Sequence, residues 1–128
     1  MGPDIRFRNA TFDVKKEKEN SYNPGVVWGE AILVWLRDHA SKLTDVSDID
    51  EEDHGNFCSA TFDGQRYSFV GMCGADEPDV WHLVIERKRT FKEQLLGRGK
   101  TTVEDPCFTY VKGLLEADAS FTDIEVDP

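Results

Sequence analysis

Apolar residues alternate with polar ones at the start of the chain, Ile5 and Phe7 against Asp4, Arg6 and Arg8, and resume in the other phase at Phe12 and Val14. A period of two marks a strand. The change of phase near Asn9–Ala10 would turn side chains to the opposite face, so a bulge or bend is expected there. The polar, charge-mixed stretch Lys15–Ser21 reads as a connecting loop. Asn23–Pro24 then offers a cap and a first-turn proline, and the spacing predicts a long helix from there to about Leu43. Trp28, Ile32, Trp35, Leu36, His39 and Leu43 form its inner stripe, with Glu30, Leu33, Arg37 and Ser41 outside. Val26, Val27, Ala31, Val34 and Ala40 widen the apolar surface, so the helix is expected to be buried on two sides or to carry an apolar flank for a partner.

Asp45 to Asp53 carries acids and no base, and reads as a loop. Phe57–Phe62, Asp63–Gly64 and Gln65–Cys73 spell a β-hairpin, because Asp-Gly supplies the positive φ angles of a two-residue turn. The register that follows sets Cys58 against Phe69 and Ala60 against Tyr67 on one face, with Ser59, Thr61, Arg66 and Ser68 on the other. It is also expected to set Cys58 and Cys73 on opposite faces, offset along the ladder and too far apart for a disulfide. A polar break at Gly74–Pro78 precedes a strand from Val80 to Lys88, with Trp81, Leu83 and Ile85 inward and His82, Glu86 and Lys88 outward. Thr90–Glu93 is a capping box for a short helix ended by Gly97, Asp105–Pro106 opens another through about Glu116, and Phe121–Val126 closes the chain as a charged edge strand. The expected fold is one α+β domain over residues 1–128: a mainly antiparallel sheet of four to five strands, with a long helix and two shorter helices packed on one face, in the order β-α-β-β-β-α-α-β.

The composition adds constraints. The chain has 128 residues, 25 Asp plus Glu against 15 Lys plus Arg, and a net charge of −10. That sign repels phosphate backbones and argues against a nucleic-acid binder. Because it has neither an apolar run of membrane-spanning length nor a signal-like start at Met1–Arg6, a cytoplasmic protein is expected, with no membrane association. Cys58, Cys73 and Cys107 are odd in number and form no CxxC pair, so free thiols are expected.

Apparent motifs fail on spacing. Gly99–Lys100–Thr101 ends like a phosphate loop, but the glycine that pattern requires is Gln94. Asp50 to Thr61 imitates a calcium loop with Gly55 in sixth place, yet His54 stands fifth and Thr61 twelfth, where a bidentate Glu belongs. His39, His54 and His82 make no HxH or HExxH pair; His54, beside Asp53, is the one histidine worth testing for catalysis. No catalytic residue, cofactor or metal is therefore assigned.

Charge layout says more. Asp45, Asp48, Asp50, Glu51, Glu52 and Asp53 form an acidic block, while Arg87, Lys88, Arg89, Lys92, Arg98 and Lys100 outnumber Glu86 and Glu93 between residues 86 and 100. Such asymmetry points to a small acidic interaction module, of the inhibitor or immunity-protein type, that binds a basic protein partner through the Asp45–Asp53 block, with Trp28 or Trp35 as an aromatic anchor. The alternative is a small-molecule-binding domain or enzyme with a pocket between the long helix and the sheet, lined by Trp35, His39, Tyr67 and Trp81. A monomer or homodimer is expected, the latter through the apolar flank of the first helix.

Overall fold

The computed structural model describes residues 2–13, 27–52, 55–74, 77 and 79–128. Among them the elements are β1 (Asp4–Asn9), β2 (Val27–Trp28), α1 (Glu30–His39), β3 (Asp50–Glu52), β4 (Gly55–Phe62), β5 (Gln65–Cys73), β6 (Trp81–Arg87), α2 (Phe91–Leu95), α3 (Pro106–Ala117) and β7 (Phe121–Asp127). The chain is α+β. Its antiparallel sheet runs β3-β4-β5-β6-β1-β7, and β2 pairs with the last two residues of β5, beyond the point where β4 stops.

The hairpin forms as its turn residues require: Cys58 faces Phe69, Ala60 faces Tyr67, and Asp63 and Gly64 take φ angles of 49° and 78°. Cys73 follows Phe69 by four residues, so it shares the face of Cys58 rather than opposing it, and both are buried in the same core. The offset along the ladder is what separates them.

The first helix departs most from expectation. Val27 and Trp28 pair with Cys73 and Met72 as a strand, and the helix starts only at Glu30, after Gly29. Ladder hydrogen bonds beside β5 outweigh the helical spacing of these residues, and the proposed start at Asn23–Pro24 lies outside the described residues. At 10 residues α1 is shorter than the 12 of α3. Its buried side is Ile32, Leu33 and Leu36, continued by Ala40, so Leu33 faces inward and His39 outward, against the expected stripe. α2 does form with its capping box intact, Thr90 Oγ1 accepting from Glu93 N and Glu93 Oε1 from Thr90 N. It buries no residue, however, so two helices rather than three supply the core. Asp105 caps α3, its Oδ1 accepting from the amides of Cys107 and Phe108.

At the N-terminal strand the break is a turn. Asn9 Oδ1 accepts from the Thr11 amide and hydroxyl at 2.8 and 2.6 Å, and the turned chain returns Phe12 to the core, edge-on to Trp81 at 5.1 Å. Val14 lies outside the described residues. A register shift does occur, but in the partner strand. Between Arg6 and Arg8 the β1–β7 ladder shifts, with an extra residue on β7 beside Asp123, whose φ is 52°. β7 is the edge strand expected.

One face of the sheet and the inner sides of α1 and α3 enclose the core, in which Phe7, Phe69, Trp81 and Phe108 are the largest buried rings. The opposite face carries Asp4, Arg6 and Arg8 of β1, His82, Val84 and Glu86 of β6, and Arg66, Ser68 and Val70 of β5.

Candidate functional site

The acidic block is not a plain loop. Thr44 and Thr61 exchange backbone hydrogen bonds at 2.9 and 2.8 Å, Ser47 N donates to Ser59 O at 2.8 Å, and Ser47 Oγ accepts from Ser59 N. Asp50, Glu51 and Glu52 then pair with Phe57, Asn56 and Gly55 as β3. Residues 44 to 52 thus lie along the outer side of β4 as an interrupted edge strand, which also explains why the resemblance to a calcium loop fails: residues 50–52 and 55–57 run as antiparallel partners. Strand alternation sends Asp50 and Glu52 to the open face of the sheet and Glu51 to the helical one.

Asp45, Asp48, Asp50 and Glu51 are exposed and Glu52 is half-buried. Asp45 is anchored: at a left-handed φ of 49°, its carbonyl accepts from Arg66 Nη1 at 2.6 Å, and its carboxylate lies 3.5 Å from the same nitrogen. Arg66 also donates to Ser59 and Thr61, which ties the edge to the hairpin. Among the described residues no cation forms an ion pair with Asp48, Asp50 or Glu51. Asp53 and His54 lie outside the described residues.

The far edge is also acidic but is partly neutralised, because Arg8 pairs with Asp123 at 3.4 Å, with Glu77 at 2.7 Å and with Asp79. Arg8 holds the Asp79 carboxyl below the usual carboxylate range through that hydrogen bond. Among the described residues, Asp48, Asp50 and Glu51 therefore carry negative charge that no such ion pair offsets.

Of the four residues expected to line a pocket, Trp35 and His39 are brought together on α1, whereas Tyr67 and Trp81 lie in the core. Trp81 is wholly buried. Tyr67 is buried under α3, donating from its hydroxyl to Asp105 Oδ2 at 2.9 Å; burial, then this bond, holds the phenol protonated well above its ordinary range. Trp35 is half-buried and stacks on exposed His39 with ring centroids 4.6 Å apart, while its edge meets Phe121. His39 Nδ1 lies 2.8 Å from the Trp35 carbonyl, a helix-surface contact. Between α1 and the sheet stand Ile32, Leu33, Leu36 and Phe69, all buried. The backbone of Trp28 belongs to β2.

One polar pair escaped the sequence entirely. His82, expected to face outward, lies on the side of β6 away from the helices but is buried there, and its Nδ1 lies 2.8 Å from Asp4 Oδ2 across β1. A residue separation of 78 hides such a pair from any motif search. Imidazole and carboxylate at this distance match a base and its orienting acid, but His82 Nε2 is itself shielded from solvent. The pair joins β6 to β1.

Burial raises the thiols, Cys58 to about 11 and Cys107 to about 12, from an ordinary 9.0. The folded protein keeps these protons where the unfolded chain releases them. Their contribution to stability is therefore complete below pH 9.0 and is lost as the pH rises toward 11 and 12. Urea midpoints measured along an alkaline series should fall through that window, and iodoacetamide should label these two cysteines only after unfolding. Rapid labelling of the native protein would refute the buried placement.

No family model, curated protein or solved structure matches the chain.

Proposed function

We propose that the protein is a small interaction module, of the inhibitor or immunity-protein type, whose β3 edge binds a basic protein partner. The observation that carries this is the set of exposed, uncompensated carboxylates, Asp48, Asp50 and Glu51, held along a sheet edge that Arg66 fixes to the hairpin. A fixed array attracts a cationic surface without first having to order a loop, and it accelerates encounter more than it deepens affinity. Acidic residues also prevent sheet edges from pairing with one another, a role β7 fulfils equally. What favours recognition here is that, among the described residues, no cation pairs with Asp48, Asp50 or Glu51, since solubility alone requires no such concentration of charge.

The partner is therefore basic and the binding salt-dependent. The full chain and its Asp48→Asn, Asp50→Asn, Glu51→Gln variant should be used to capture partners from the source cell at low and high salt, and the partner purified for kinetics. The wild type is expected to retain a basic protein whose association rate falls about tenfold or more in the triple variant and in high salt, with little change in dissociation. Cross-links should map to residues 44–52. Retention indifferent to both salt and these substitutions would refute the proposal, as would cross-links confined to another face.

A further inference from the structure

We propose that the α2 corner, Lys88 to Lys100, is a second docking surface, which takes a short acidic segment of another protein carrying apolar side chains. α2 buries nothing, yet Phe91, Leu95 and Leu96 stand 77%, 70% and 54% exposed. Phe91 and Leu95 lie one turn apart and present one apolar stripe.

The corner is held in shape. Beyond the capping box, Arg87 Nη2 donates to Glu93 Oε2 and to the Gly99 carbonyl, and Arg89 Nη1 to the Arg98 carbonyl at 3.1 Å. Arg98 N in turn donates to Glu93 O at 2.8 Å. Apolar side chains on a fixed support lose little further freedom on binding.

Charge selects the occupant. Lys88, Lys92, Arg98 and Lys100 are exposed around the stripe. The acid among them, Glu93, is engaged by Arg87, which with the Thr90 amide holds its carboxyl below the usual range. A cleft of about 350 Å³ adjoins this end of β6, walled by Ser68, Glu86, Arg87, Lys88, Arg89 and Gln94; its three cations outnumber the one acid, Glu86, so a carboxylate side chain is received at the Lys88–Arg89 side. In a chain of net charge −10 this is a local cationic island. An extended anionic surface, a bilayer or a duplex, would meet the rest of the molecule and be repelled, whereas a short segment stays within the Debye length of about 8 Å and senses the island alone. A second copy offers acidic edges but no matching anchors, because Val46, Ile49, Ile124 and Val126 beside those edges are all partly buried. The basic partner proposed for β3 has the wrong sign for this corner, so the two surfaces stand or fall separately.

The test is selection of a random peptide library, displayed on phage, against the full chain, with Phe91→Ser/Leu95→Ser and Lys92→Glu/Arg98→Glu as comparison proteins. All four positions are exposed, so both variants should melt and give circular dichroism spectra like the wild type. The expected result is enrichment of peptides that interleave Asp or Glu with Leu, Phe or Trp. A synthetic representative should bind the wild type and lose about tenfold or more on each variant, the order expected for central anchors. Its binding should survive neutralisation of Asp48, Asp50 and Glu51 and exceed that of phosphatidylserine vesicles or duplex DNA. Enrichment of peptides lacking either acids or apolar residues, equal binding to the variants, or preference for vesicles or DNA would overturn the proposal. So would concentration-dependent self-association in sedimentation that Phe91→Ser/Leu95→Ser removes.

Discussion

Trp81→Ala is expected to cost about 3–5 kcal/mol of stability, the range for removing a fully buried large aromatic side chain. The indole is wholly buried, meets Phe12 edge-on, and sits on β6 opposite Phe7 on one side and Cys73 on the other. No single neighbouring side chain can relax into the space it would vacate, since Phe7, Phe69 and Leu83 are themselves fully buried and packed. A domain of this size has a total stability of about 5–15 kcal/mol, so the variant should unfold at a much lower urea midpoint, with an unchanged slope. The same measurement decides between two roles for this residue. Were Trp81 the wall of an open ligand pocket, truncation would enlarge an existing cavity and cost well under about 1 kcal/mol. A loss that small would refute the packed core between α1 and the sheet and favour the ligand-binding alternative.

The second large effect is expected at Gly71, where the sheet meets the backbone leading into α1. A β-carbon there would lie 2.4 Å from the Gly29 carbonyl oxygen and 2.7 Å from Ile32 Cγ2. Gly29 is equally confined, its own β-carbon position being 2.3 Å from the Gly71 carbonyl carbon. Backbone meets backbone, so no rotamer change can relieve the clash. Gly71→Ala should therefore cost about 3 kcal/mol, the upper end for overpacking, by forcing the start of α1 away from β5. Gly113 in α3 is the control, because a β-carbon there meets nothing within 4 Å. Gly113→Ala should stabilise by about 0.5–1 kcal/mol through helix propensity. Urea denaturation of the two variants is the check; if Gly71→Ala were as harmless as Gly113→Ala, the close approach of α1 and β5 would be wrong.

Both positions show why parts of the structure could be read directly and others could not. The hairpin register, the capping box at Thr90, the Asp105–Pro106 start of α3 and the edge strand β7 are local devices: each depends on a turn or cap within a few residues, and each forms as its residues dictate. Gly71 reads as an unremarkable glycine in a strand until Gly29 is brought against it. Val27 and Trp28 have helical spacing with Ile32 and Leu36, and only the vacant position beside Met72 and Cys73 turns them into a strand. With that, the helix starts later and Leu33, not His39, turns inward.

The candidate site divides in the same way. The acidic block and the basic stretch from Arg87 to Lys100 were visible as charge runs. That the first lies along β4 as an edge strand, and that the second surrounds an exposed apolar stripe on α2, follows from the arrangement of the elements. The pocket expected between the helix and the sheet rests on residues of suitable chemistry, and periodicity identifies an inward face without telling whether the space it faces is empty or filled.

The sequence by itself determined the local elements, the α+β class and the opposed charges, because turns, caps and alternation act over a few bonds and charge is additive along a chain. Only the tertiary structure decided which of those elements became strands, which glycines had to remain bare, how Asp4 met His82, and which aromatics were core. Those outcomes depend on distances between residues far apart in sequence, and such distances are set by packing the whole chain at once.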